Sequence, residues 1–188
     1  MTAHSAEINL ALNTLNKEGV LLYPTDTIWG IGCDARSSKA VDAIYALKKR
    51  EDSKALICLV ASKEMLERYV GDVPKVLLDQ LKVARPTTVI YPAVKGVSER
   101  LCAADGSIGI RIVQDAFCQA LIEKLGAPLV STSANISGQP SAQHYKEITP
   151  EILNGVDHIV PLRQNETQQK ASRIIRLKAD NSIELLRD

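Results

Sequence analysis

Ala127-Pro128-Leu129-Val130 runs straight into Ser131-Thr132-Ser133-Ala134-Asn135, and the reading of this stretch decides the fold. The apolar run reads as a buried strand, and its carboxyl tip crowds four polar side chains together before the loop Ser137-Gly138-Gln139-Pro140-Ser141. In open α/β sheets, ligands bind in the crevice outside the carboxyl ends of the strands. Hydroxyls and an amide placed there can serve a phosphate or carboxylate without adding charge. A strand that simply ends in a polar turn leaves the same local trace, because Ser and Asn favour turns. A second segment separates the two readings.

That segment is Ala46-Leu47-Lys48-Lys49-Arg50-Glu51-Asp52-Ser53-Lys54. It closes a helix that Ser37 or Ser38 can cap, and Val41, Ile44, Tyr45 and Lys48 share one face at helical spacing. Cations in a last helical turn are ordinarily a solvated complement to the macrodipole. Lys48, however, falls on the core-facing stripe, where a cation needs an anionic partner. A ligand phosphate or carboxylate is a candidate, and Lys49 should project away.

Working outward, helical and extended patterns alternate along the chain. Ser5 to Lys17 is an amphipathic helix stopped by Gly19, followed by a short strand at Val20 to Tyr23. Thr25 to Gly32 is a loop or second strand, and the helix from Ser38 to Arg50 follows. Strands are predicted at 55–61, 87–91, 107–113 and 127–132, with helices at 63–70, 73–83 and 115–125. A short helix near Glu151 and strands near 157–161, 172–178 and 182–186 complete the chain, and Gln164 to Lys170 reads as a mobile polar loop. The pattern is that of one α/β domain, residues 1–188, on a twisted, mixed sheet.

A chain of 188 residues that is 45% hydrophobic can build an ample core. A net charge of +1 means that any nucleic-acid contact must come from a local patch. Cys33, Cys58, Cys102 and Cys118 stand singly, without a C-x-x-C pair, and read as reduced thiols. His4, His144 and His158 lack metal-ligand spacing, so no protein-bound metal is expected. No apolar stretch is long enough to span a membrane and no signal-peptide pattern is present, so a cytoplasmic protein is expected.

Two further segments complete the candidate site. Tyr23-Pro24-Thr25-Asp26-Thr27-Ile28-Trp29-Gly30-Ile31-Gly32 sets two hydroxyls and a carboxylate just past a strand end. It is not a G-x-x-x-x-G-K-[ST] phosphate loop. Trp29 reads as core. Arg111, between Ile110 and Ile112, points to the sheet face opposite those two, into a cleft or to the surface; we read it as cleft-lining.

Together these four segments resemble the YrdC/TsaC family of threonylcarbamoyl-AMP synthases, of the single-domain bacterial TsaC type. The family's Y-P-T-[ED]-T corresponds to Tyr23–Thr27, its K-x-R to Lys48-Lys49-Arg50, and its S-x-N to Ser133-Ala134-Asn135 within S-T-S-A-N-x-S-G. The resemblance runs from about Ala6 through Leu162, and it implies a single α/β domain with its core at about 6–162: a twisted, open mixed sheet flanked by helices, with a concave basic ligand cleft. It implies a nucleotidyltransferase that joins L-threonine, bicarbonate and ATP into threonylcarbamoyl-AMP and pyrophosphate, for threonylcarbamoyl-adenosine modification of tRNA beside the anticodon. Under it, Lys48, Arg50, Ser133 and Asn135 are catalytic. ATP is held by Lys48, Arg50, Lys54, Ser107, Ser133, Asn135 and Ser141, with Ser133 and Asn135 donating near the α-phosphate. Threonine is held by Thr25, Thr27, Arg111 and Ser131, with Arg111 on its carboxylate. Mg2+ should arrive with ATP. Loss of Lys48, Arg50 or Asn135 should collapse activity while leaving the fold intact.

Some positions depart from the family pattern. Glu51 stands where relatives commonly have proline, and Ala84-Arg85-Pro86-Thr87-Thr88 replaces the usual P-G-P-x-T. Partners implied are the downstream threonylcarbamoyl-transferase ligase and, through a concave basic surface, tRNA or double-stranded RNA. An RNA-binding module without chemistry, or a paralogue that does not use threonine, stays open as an alternative.

Overall fold

The stripe at Val41, Ile44, Tyr45 and Lys48 becomes one buried face of a helix in the computed structural model, which describes residues 4–49, 56–81, 85–168 and 170–188. This helix, α2 (Ser38–Lys48), begins where the Ser37 hydroxyl accepts from the Ala40 amide. It stops at Lys49, whose left-handed backbone (φ 49°, ψ 43°) cannot continue it. Arg50 and Lys54 lie outside the described residues.

The preceding elements are α1 (Ser5–Asn16), β1 (Leu21–Tyr23) and β2 (Gly30–Gly32). After α2 come β3 (Ile57–Val60), α3 (Lys63–Val70), α4 (Lys75–Leu81), β4 (Thr87–Tyr91) and β5 (Ile108–Ile112). Helix α5 (Ala116–Leu125) is capped by Asp115 and closed by Gly126 at φ 68°. β6 (Leu129–Ser133), α6 (Pro150–Gly155), β7 (His158–Ile159), β8 (Arg173–Leu177) and β9 (Ile183–Arg187) complete the order. Most predicted elements are present with ends moved by one to three residues, because caps, not hydrophobic periodicity, set the ends.

The strands form one mixed sheet in the order β7-β1-β2-β6-β3-β5-β4-β8-β9. Three pairs are parallel (β1/β7, β3/β5, β4/β8), and the others, including the run β1/β2, β2/β6 and β6/β3, are antiparallel. The register carries one face across the centre: Ser131 lies opposite Ile57, Ile57 opposite Gly109, and Gly109 opposite Ile90. Side chains alternate along a strand, so Ser133, Arg111 and Thr88 share that face. Thr88 in turn lies opposite Ile174, and Ile174 opposite Arg187. Cys58, Ile110, Val130 and Val89 on the other face are fully or almost fully buried.

The C-terminal hairpin is therefore an integral part of the sheet, and Leu177 and Ile175 belong to its core. The loop expected to be mobile, Gln164 to Lys170, is held at Gln168 within it and at Arg163 just ahead of it. Arg163 donates to the Thr25 carbonyl at 3.1 Å and to Asp115 at 2.9 Å, and the Gln168 amide donates to the Gln143 carbonyl at 2.8 Å. These ties are long-range, and a polar composition does not reveal them.

Candidate active site

The shared sheet face forms the floor of a cavity of about 230 Å³. Its wall brings together Thr25, Thr27, Arg111, Ser131, Ser133 and Ser141, six of the residues singled out in the sequence. Thr88, Ser172 and Arg187 line it as well. Backbone proximity around it is extreme. A Cβ at Gly32 would meet the Val130 carbonyl at 2.1 Å, and one at Gly30 would meet the Ser131 hydroxyl at 3.1 Å. β2 can lie this close to β6 at Gly32 only because that position lacks a side chain.

The Thr25–Thr27 loop has a hydrogen-bond direction that follows from simple accounting. Thr25 Oγ1 donates its one proton to the Ile28 carbonyl at 2.8 Å and accepts from the Thr27 amide at 3.0 Å. Its bond to Thr27 Oγ1, at 2.9 Å, must therefore be accepted, so Thr27 is the donor. Thr25 is saturated: it holds Thr27 in place and has no hydrogen-bonding capacity for a ligand. Thr27 also accepts from Arg111 Nη2 at 3.3 Å. Its hydroxyl proton is committed, so toward a ligand it can only accept.

Arg111 is 2% exposed and points into the cleft, as its place between Ile110 and Ile112 suggested. It already has a carboxylate partner: Nη1 meets Asp26 Oδ1 at 2.5 Å, while Asp26 Oδ2 accepts from the Gln114 amide at 3.0 Å. Its Nε is buried without a hydrogen-bond partner.

Lys48 is 1% exposed, so the buried-stripe reading of its position holds, but its bonds differ from the expectation of a ligand anion. Its ammonium donates to the carbonyls of Ser133, at 2.5 Å, and Asn135, at 2.6 Å. Its own carbonyl accepts from the Ser137 amide at 2.9 Å. Lys48 thus staples the end of α2 to the S-x-N segment. Lys49 projects outward, as expected, and meets Glu151 at 2.7 Å on the surface.

Asn135 corrects a second expectation. Its amide nitrogen uses both hydrogens within the chain, on the carbonyls of Ile136 (2.9 Å) and Gln139 (2.7 Å), so it cannot donate to a phosphate without breaking this turn. Asn135 lines a neighbouring cavity of about 280 Å³ with Gln139, Ala142 and Thr149, and Ser141 lines both cavities. Ser107 lines neither: its hydroxyl donates to Asp105 at 2.6 Å, in a turn ahead of β5.

Sequence reasoning did not single out Arg187 or Ser172, because their place at the site depends on the register of β8 and β9. Arg187, an exposed residue at the end of β9, donates from Nε and Nη2 to the Ser172 carbonyl at 3.1 and 2.7 Å, and partial desolvation lowers its pKa. The Ser172 hydroxyl is bonded to Thr88 Oγ1 at 2.8 Å. Behind the site, Tyr23 is fully buried and donates to the Val130 carbonyl at 3.1 Å; desolvation raises its pKa well above the usual phenol value.

Among the described residues, no group of three or more His, Cys, Asp or Glu is arranged to hold a metal ion, and no helix is long and apolar enough to cross a membrane.

Residues 13–188 match the Sua5/YciO/YrdC family model, described as telomere recombination. A threonylcarbamoyl-AMP synthase of Idiomarina loihiensis is 35% identical over 154 residues, covering 80% of this chain and 83% of that protein. Among solved structures, the H234A/Y235A form of P. abyssi Sua5 superposes with a TM-score of 0.84 at 25% identity, over 96% of this chain and 55% of that one. E. coli YciO superposes with a TM-score of 0.83 at 28% identity, over 96% of this chain and 88% of that one. The chain thus spans about half the length of the P. abyssi protein and most of the other two. With a match over nearly its whole length, the chain belongs to the Sua5/YciO/YrdC family.

Proposed function

We propose that the protein is a threonylcarbamoyl-AMP synthase. The observation that carries this reading is one cavity in which Arg111, acceptor-only Thr27 and Ser131 stand beside Ser133, Ser141 and Arg187. The first group suits an amino acid, which has a carboxylate for Arg111 and N–H or O–H donors for Thr27. The second suits phosphate oxygens. The name of the Idiomarina relative supports the same reaction.

The threonine amine takes up the carbon of bicarbonate and water leaves, giving an N-carboxylate. That carboxylate attacks the α-phosphorus of ATP, the bond to the β-phosphate oxygen breaks, and pyrophosphate departs. Both reactants are anionic, so the work of the site is alignment and charge neutralisation. Lys48 holds the S-x-N segment in place, so that Ser133 faces the phosphates. Arg187 and Ser141 bind the polyphosphate, together with Arg50 and Lys54. Asn135 supports the Ser141 loop through its bonds to Ile136 and Gln139, and Ser107 is left out of the site. Mg2+ enters as the counter-ion of ATP, the product serves a downstream tRNA-modifying ligase, and the setting is cytoplasmic.

The test is pyrophosphate release from ATP, measured with and without L-threonine and bicarbonate, with mass-spectrometric detection of the adenylate. Release that needs both co-substrates is expected. Release indifferent to threonine would refute the reading.

A further inference from the structure

Asp26 has no place among the cavity-lining residues, yet it makes the closest contact to Arg111, the buried cation that lines the cavity. Its side chain is 11% exposed and each oxygen has a fixed partner: Oδ1 on Arg111 Nη1 and Oδ2 on the Gln114 amide. Gln114 follows β5 directly, so Asp26 is anchored to the backbone two residues past the strand end. A carboxylate held this way cannot follow the guanidinium; the guanidinium must conform to it.

A second tie of opposite polarity holds the same loop. Asp115, the cap of α5, accepts from Arg163 Nη1, which also donates to the Thr25 carbonyl. The Thr25–Thr27 loop is thereby tied to the β5–α5 junction at two adjacent residues, Thr25 and Asp26, the second of which holds Arg111. Thr27 Oγ1 receives Nη2 of the same guanidinium.

We propose that Asp26 is a positioning residue for the amino-acid site, fixing Arg111 so that one edge of its guanidinium is turned to the substrate before the substrate arrives. This rests on the threonine-site reading above. The physical reason is that an arginine has several freely rotating bonds, and a site that leaves them free must order them at each binding event. Asp26 removes that requirement, while Thr27, with its proton committed, fixes which neighbouring ligand group is a donor. The alternative effect of a carboxylate here has the opposite sign. If Asp26 only neutralised Arg111, removing its charge would strengthen the hold on the threonine carboxylate.

The test is Asp26→Asn in the intact protein, with Glu7→Gln as the comparison for stability loss alone. Glu7→Gln weakens the contact to His158 on β7, at the sheet edge away from the cavity. Asp26→Asn should raise the KM for L-threonine at least tenfold and leave the KM for ATP within twofold; Glu7→Gln should move neither. A threonine KM that falls or stays within twofold, or an ATP KM that rises in parallel, overturns the positioning role. Should Asp26→Asn not fold, nitrogen-15 spectra of the unaltered, ligand-free protein decide. Arg111, assigned through Arg111→Lys, should show two distinct Nη signals from hindered rotation. A single averaged signal overturns the proposal. Absence of threonine-dependent turnover in the unaltered protein would instead remove the proposed function, and the role of Asp26 with it.

Discussion

Lys48→Met is the substitution that most directly tests how the site is built. Methionine keeps the length of the stem and fills most of the same space, so little cavity is created. The ammonium, and with it the donors to the Ser133 and Asn135 carbonyls, is removed. Stranding a buried acceptor costs about 1–3 kcal/mol. Two of them, partly relieved by local adjustment, give about 2–4 kcal/mol in all. For a chain of this size about 1 kcal/mol corresponds to roughly 2–4 °C in Tm, so a fall of about 5–15 °C is expected. Pyrophosphate release should fall by about 30- to 1,000-fold, because the phosphate-facing serine loses its anchor. The lysine spacing alone suggested that its loss would spare the fold; the burial and the two carbonyl bonds revise that. The assay pairs differential scanning calorimetry with threonine-dependent turnover measured well below the variant's Tm. A variant that melts within about 2 °C of the unaltered protein would refute the staple.

Other substitutions test neighbouring steps. Lys49→Ala, which removes only the exposed contact to Glu151, should cost less than about 0.5 kcal/mol in urea unfolding and leave turnover intact. L-Valine should stimulate pyrophosphate release much less than L-threonine, because an acceptor-only Thr27 left unmatched costs about 1–3 kcal/mol; equal stimulation would remove Thr27 from specificity. Gly32→Ala should lose at least about 3 kcal/mol or fail to accumulate as soluble protein, because the added carbon would sit 2.1 Å from the Val130 carbonyl. Burial pushes the Cys58 thiol up to about 12 and raises Cys33 and Cys118 as well, so thiolate is scarce at each near neutral pH. Half-buried Cys102 should alkylate first in the native protein at pH 8, as peptide mass mapping would show.

Much of this site was legible in the sequence because local rules specify it. The 3.6-residue stripe put Lys48 inward, strand alternation put Arg111 opposite Ile110 and Ile112, and the polar tip after Val130 put Ser131 and Ser133 in a crevice. Each of those inferences needs only the periodicity of one element. What stayed hidden depends on pairing between distant elements. Arg187 reaches the cavity because Ile174 lies opposite it and Thr88 opposite Ile174, a register that no local pattern encodes. Asp26 and Arg111 are 85 residues apart, and their contact needs both the loop after β1 and the end of β5 in place. Asn135 was correctly placed beside Ser133 in the chain, but its role as a donor to phosphate depended on a rotamer. The turn to Gln139 uses both amide hydrogens, and local side-chain bonds of this kind compete with function in a way that residue type alone cannot show.

The same bonds explain how a chain of net charge +1 can hold two anionic reactants. Arg111 is set by Asp26 and Thr27, Arg187 by the Ser172 carbonyl, and Lys48 by two carbonyls, so three cations near one cavity are oriented by groups of the chain. Only one of those partners is itself an anion. At Arg187 the partner is a neutral carbonyl oxygen, which fixes direction without cancelling charge. At Arg111 the partner is the Asp26 carboxylate, an anion that fixes direction and offsets part of the charge. The two arginines are thus both fixed in direction, and they differ in whether the partner carries charge. Donors and dipoles oriented in advance need no reorganisation as charge moves to the departing pyrophosphate, which is the condition for their largest effect on rate.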